Sequence, residues 1–147
     1  TRRRLWEGRR SISSSLKEAF PHKISEDIGV PVGRMPQVMK ALAELGARHG
    51  VQTAVYGHAG DGNLHTNLLA PDADTRHRLL DTAATELMIL AVEHGGTLSA
   101  EHGIGCSKRR WMPLQHPPQE LALMRQIKAL WAPSGLLNPG KLHPEPL

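Results

Sequence analysis

"YGHAGDGNLHTN", residues 56–67, decides the fold. Asp61-Gly62 is the dipeptide that best fits a two-residue type I′ turn, which needs positive φ at both central positions. "VQTAVYGH" before it and "NLHTNLLA" after it read as strands, so the stretch is a β-hairpin. With Asp61-Gly62 at its centre, His58 lies opposite His65 and Tyr56 opposite Asn67. Opposed Cβ atoms are roughly 4.5–5.5 Å apart. Side chains alternate between faces, so Tyr56, His58, His65 and Asn67 share one face. Two histidines placed this way can chelate a metal, or they can be two polar residues on a wet face. Gly57, Ala59 and Gly60 leave room for a ligand to approach the backbone.

Upstream, "LWEGRRSISSSLKEAF" (5–20) has helical spacing, with Leu5, Ile12, Leu16, Ala19 and Phe20 on one side and Pro21 as its stop. "HKISEDIGVP" (22–31) alternates Ile24, Glu26, Ile28 and Val30, a strand pattern closed by Pro31. "MPQVMKALAELGARHG" (35–50) returns to helical spacing and ends at Gly50. Downstream, "DADTRHRLLDTAATELMILAVEHGG" (72–96) reads as one long helix, and "TLSAEHGIG" (97–105) as a short strand running into a loop. The order strand, helix, strand, strand, helix, strand is the ferredoxin-like split βαβ pattern of an α+β protein. Residues 1–100 form this unit. Residues 101–147 carry helices and turns without a strand signal and are expected to form a small helical C-terminal subdomain.

The 147 residues suit one domain or a domain with an appendage, and 39% hydrophobic residues allow a core, built from aliphatic side chains because aromatics are only 3%. No apolar run reaches the roughly 18 residues of a membrane span, and no apolar segment follows the basic start to make a signal peptide. Five arginines fall in the first ten residues. No nucleic-acid motif accompanies them, so a solvated helix start is the simpler reading, with an anionic ligand as a further use. The single cysteine, Cys106, excludes an internal disulfide and a multi-cysteine zinc site; it suits a reducing, cytoplasmic setting and reads best as a small buried thiol. The chain opens on Thr1 directly into helical sequence, as a portion of a longer polypeptide would.

"GGTLSAEHGIG" (95–105) is the second chemical constellation. Glu101 and His102 are neighbours and point apart on extended chain, so one can serve a metal while the other faces a substrate. Two histidines and a carboxylate are a common ligand set for catalytic metals. A polar loop with a helix cap is the plain alternative. The remaining histidines, His22, His49, His77, His94, His116 and His143, read as solvated.

"YGHAGDGNLHTNLL" (56–69), "GGTLSAEHGIGCSKRRWM" (95–112) and "LLNPGKLHP" (136–144), in this order, resemble the C-terminal domain of FAD-linked oxidases, the family of D-lactate dehydrogenases, the glycolate oxidase FAD subunit and D-2-hydroxyglutarate dehydrogenase. The likeness runs from Leu5 to Pro144; "LWAPSGLLNPGK" departs from it at Trp131-Ala132. The resemblance implies that His58, His65 and Glu101 are ligands of a divalent metal, zinc first, with manganese or iron also suited to the set. It implies His102 as catalytic base, Arg9, Ser13, Lys23 and Asn67 as substrate contacts, and Asn138 as a residue near the flavin. It further implies that FAD is bound mostly by an N-terminal domain absent from this chain. The expected partners are a 2-hydroxy acid, that missing domain, and a second copy or other oxidase subunits, through which the protein would sit peripherally at a membrane. The chain alone is expected to bind little FAD and not to turn over. A stand-alone His-His-Glu metal protein and a non-catalytic ferredoxin-like binding module are the rival readings.

Overall fold

Three strands, β1 (Ile24–Gly29), β2 (Gln52–His58) and β3 (Asn63–Leu69), form one sheet in the order β1-β3-β2. The central strand is antiparallel to both neighbours, so β1 and β2 run parallel, connected through helix α2 (Met35–Arg48). This is the expected split βαβ arrangement of an α+β fold. The computed structural model describes residues 2–143; Pro144, the last residue of the third motif, lies outside them.

The hairpin register differs from the expected one. Tyr56 pairs with His65 and His58 with Asn63, which leaves residues 59–62 as a four-residue turn. The shift is two residues, so every side chain keeps its face. His58 and His65 are therefore diagonal neighbours rather than directly opposed. The cause is tertiary. Gly62 sits at φ +68°, its carbonyl accepts the Val30 N–H at 2.8 Å, and an added Cβ would lie 1.9 Å from the Val30 oxygen. The turn is docked on the end of β1, a demand that local turn preference does not contain.

Two further expectations are corrected. The fourth strand is a single bridge in which Gly29 and Thr97 exchange backbone hydrogen bonds of 3.2 and 2.8 Å. Beyond it the chain curls over β1 because the backbone of residues 100–102 is drawn to Asp27. The long helix is two helices, α3 (Ala73–Asp81) and α4 (Ala83–Glu93), broken at Thr82. The Thr82 hydroxyl donates back to the Arg78 carbonyl, a bond that competes with regular helix. Arg110, far along the chain, donates to the Leu80 carbonyl and to Asp81. The carbonyl end of α3 is thus capped by a residue that helical periodicity cannot reveal.

One sheet face and the helices above it make the core. Ile24, Ile28, Leu64 and Leu68 from the strands meet Val38, Leu42 and Leu45 of α2 and Leu87, Met88 and Ala91 of α4. Trp111, Met112 (the start of α5, Met112–Gln115) and Leu121 (α6, Pro118–Trp131) join the same cluster. Helix α1 (Arg2–Ala19) buries no residue fully: of its expected apolar side Ile12, Leu16 and Phe20 are half-buried, and Leu5 and Ala19 are exposed. Cys106 is exposed, not buried as expected. His49 is not simply solvated: its Nε2 lies 2.9 Å from Glu86. Among the described residues, no helix is long and apolar enough to cross a membrane.

Candidate active site

The sheet face opposite the helices carries Ser25 and Asp27 from β1, Asn63, His65 and Asn67 from β3, and Tyr56 and His58 from β2. His65 is at its centre, with Asp27 on one side and Tyr56 on the other. Its ring lies 5.3 Å from Tyr56 and meets His58 edge-on at 5.7 Å. The loop after the Gly29–Thr97 bridge brings Glu101 and His102 over this face. Glu101 Oε1 is 3.1 Å from His65 Nε2, and the His102 ring stacks on His65 at 5.3 Å.

One ligand atom from each of His58, His65 and Glu101 falls within 4.8 Å of the others. Donors bound to one zinc at about 2.0–2.2 Å would stand closer together. The Glu101 and His102 side chains are 48% and 61% exposed, so both can turn, whereas His65 is 14% exposed and fixed. Burial pushes the His65 pKa down, with His102 and His58 adding to the effect and Glu101 opposing it. A neutral imidazole with a free lone pair is the form a metal needs. The donor set and its electrostatics therefore fit a divalent cation.

The expected substrate contacts fall in two groups on the same face. Arg9, half-buried on α1, places its guanidinium 5.9 Å from the Tyr56 ring, which itself touches His65. Ser13 follows one helical turn later on the same side and is exposed. Lys23 donates to Asn67 Oδ1 at 2.8 Å and to Ser25, and the Ser25 hydroxyl donates to the same Oδ1 at 2.6 Å. Asn67 Nδ2 donates to the Ala54 carbonyl at 3.1 Å. The buried Asn67 amide is thus occupied by protein partners, and Lys23 is the outward end of the cluster. Asn138 stands apart from these groups, in an exposed turn at φ +46°, its carbonyl accepting from Lys128. The nearby Leu142 N–H donates to the Gly105 carbonyl at 2.9 Å, which ties this segment to the loop carrying Glu101 and His102.

Two residues at the heart of this region escape the sequence reading. Asp27 is fully buried and Lys108 is 3% exposed, and Lys108 Nζ donates to Asp27 Oδ1 at 2.5 Å. Burial pushes the Asp27 pKa up, but Lys108 and the N–H groups of His102 and Glu101 outweigh it and hold it well below the usual carboxylate range. Strand alternation from Ile24 and Ile28 puts Asp27 on the histidine face, a signal that was available. Lys108 sits in "SKRRWM", which reads only as part of the helices and turns of the C-terminal third.

Comparison with known proteins gives the family. The family model described as "FAD linked oxidases, C-terminal domain" matches residues 1–142. The chain is 35% identical to a D-2-hydroxyglutarate dehydrogenase of Stutzerimonas stutzeri, over 94% of its own length and 30% of the relative's. It is 34% identical to the glycolate oxidase subunit GlcD of Bacillus subtilis, again over 94% and 30%. It is 38% identical to the mitochondrial D-2-hydroxyglutarate dehydrogenase of Bos taurus, over 95% and 25%. The chain therefore spans less than a third of the length of these relatives. By the match along nearly its whole length, it belongs to the FAD-linked oxidase C-terminal domain family.

Proposed function

We propose that this chain is the substrate- and metal-binding part of an FAD-dependent 2-hydroxy-acid dehydrogenase, of the kind that oxidises D-2-hydroxyglutarate, glycolate or D-lactate to the 2-oxo acid. The observation that carries the reading is the convergence of His58, His65 and Glu101 beside His102, with Arg9 and Lys23 on the same sheet face. A divalent metal held by the three ligands, zinc first, would polarise the substrate hydroxyl and lower its pKa.

The remaining steps belong to the chain's own side chains. Arg9 presents a planar guanidinium suited to a bidentate carboxylate pair, with Ser13 beside it as a hydroxyl donor. Lys23 offers a second cation, kept in place by Asn67 and Ser25. Asn67, buried with its amide taken by protein partners, acts on the substrate through Lys23, whose ammonium its Oδ1 holds. His102, exposed and stacked on His65, takes the hydroxyl proton. Asn138 alone does not make a flavin site among the described residues. FAD, the hydride acceptor of such an enzyme, is assigned to the longer part of the polypeptide that the relatives possess.

The full-length polypeptide tests the reading. Purified with bound flavin, it should bleach its flavin absorbance on anaerobic addition of D-2-hydroxyglutarate, glycolate or D-lactate, and His102→Ala should slow bleaching by about 10²–10⁴-fold, the usual weight of a general base. A full-length protein without flavin, or turnover by the 147-residue chain alone, would sink it in favour of a self-contained metal protein.

A further inference from the structure

Glu101 and His102 lie on a loop outside any strand or helix, yet their backbone is held from beneath by one buried group. Asp27 Oδ2 accepts hydrogen bonds from the N–H of Ala100 at 2.8 Å, Glu101 at 2.7 Å and His102 at 3.0 Å. The Ser99 hydroxyl donates to the same carboxylate at 3.1–3.2 Å and accepts from the Gly103 N–H at 2.8 Å. Three successive amides converging on one oxygen make an anion-binding concavity, here filled by a side chain of the protein itself. That curl fixes the direction in which the Glu101 and His102 side chains leave the backbone. The carboxylate reaches the ring as well: His102 Nδ1 is 3.4 Å from Asp27 Oδ1, while Nε2 is on the Glu101 side, 3.8 Å from Oε1.

Lys108 completes the device. Its ammonium is spent on Asp27 Oδ1, the Asp27 carbonyl at 2.6 Å and the Leu98 carbonyl at 2.8 Å, with Glu26 at 3.4 Å. Asp27 and Leu98 lie on the two segments joined by the Gly29–Thr97 bridge, so one buried cation clamps strand to loop. Asp27 also faces His65 across the β1–β3 ladder. A single carboxylate thereby sets the loop ligand and the base relative to the strand ligand.

We propose that Asp27, anchored by Lys108, is a positioning residue that aims Glu101 and His102 and holds His102 with its proton on Nδ1, leaving Nε2 toward the reacting centre. The inference rests on the function proposed above for Glu101 and His102, but one of its readouts needs neither metal nor substrate. In the ¹⁵N-labelled 147-residue chain at pH 8, long-range ¹H–¹⁵N spectra should show His102 as the Nδ1–H tautomer. An Nε2–H ring in the wild type overturns the proposal by itself.

Asp27→Asn should shift the Ala100, Glu101 and His102 amide signals, abolish the tautomer preference and weaken Zn²⁺ binding, measured by titration calorimetry, by about 10–100-fold, the usual effect of losing an outer-sphere support. Because breaking a buried ion pair can unfold a small domain, the neutral pair Asp27→Asn with Lys108→Met is measured beside it. Folded by circular dichroism, it should show the same losses. Wild-type zinc affinity or a wild-type tautomer in either folded variant overturns the proposal. If the wild type itself binds no zinc, the metal assignment falls, and the tautomer readout still decides the role of Asp27.

Discussion

The two faces of the β1-β3-β2 sheet are stabilised by different physics. The face under α2 and α4 is filled with Ile24, Ile28, Leu64 and Leu68, whose burial is non-directional and tolerates small shifts in the covering helices. The opposite face carries His58, His65, Asn67 and Asp27, where each polar atom needs a partner at a defined distance. Strand alternation alone separates the two sets, so one chain segment serves both tasks. The apolar face supplies the rigidity, and the polar face uses it to hold ligand atoms of His58, His65 and Glu101 within 4.8 Å of one another.

If this division is correct, damage to the clamp beneath the polar face should be the most costly to folding. Lys108→Ala leaves the buried Asp27 carboxylate without its cation and should lower stability by about 3–5 kcal/mol in urea unfolding. A loss below about 1 kcal/mol would show that the pair is not buried as described. Leu42→Ala, on the other side of the sheet, should cost about 2–5 kcal/mol through the cavity it leaves. In the folded population its zinc affinity should equal that of wild type; a weakened site would break the separation of the two faces.

Acid acts on the polar face through its buried carboxylates. The Asp27 pKa is depressed below its usual 3.8, so its contribution is fully present above that value and is lost as pH falls below about 4. Glu26 acts in the opposite sense: burial raises its pKa above 4.5 with Lys108 opposing, so protonating it relieves strain as pH falls toward the acid range. Wild-type stability should therefore decline more steeply below about pH 4 than that of the Asp27→Asn, Lys108→Met pair; parallel acid profiles would contradict the assignment. The smallest effect belongs to the exposed first helix. Arg3→Ala removes an i,i+4 pair with Glu7 in full solvent and should change stability by less than about 0.5 kcal/mol.

Much of this was legible in the sequence, and the boundaries of legibility are physical. Period-2 alternation placed Tyr56, His58, His65 and Asn67 on one face, and that survived a two-residue register error because parity is insensitive to it. The two-residue turn fails at Asp61, which lacks the positive φ that Gly62 has, while the Gly62 carbonyl is taken by the Val30 N–H. The break at Thr82 was invisible because its cap, Arg110, is distant in sequence. Lys108 was hidden for a similar reason: a lysine in a basic run becomes a buried clamp only when Asp27 and two carbonyls are folded around it. Local pattern encodes faces and elements, while partners across the chain decide where those elements stop and which charges are buried.

Zinc titration of the 147-residue chain beside His58→Ala and His65→Ala separates a metal centre from a wet histidine pair. One binding site is expected in the wild type and its loss in both variants, with all three proteins folded. Equal zinc binding in wild type and either variant would remove that histidine from the centre and contradict the account.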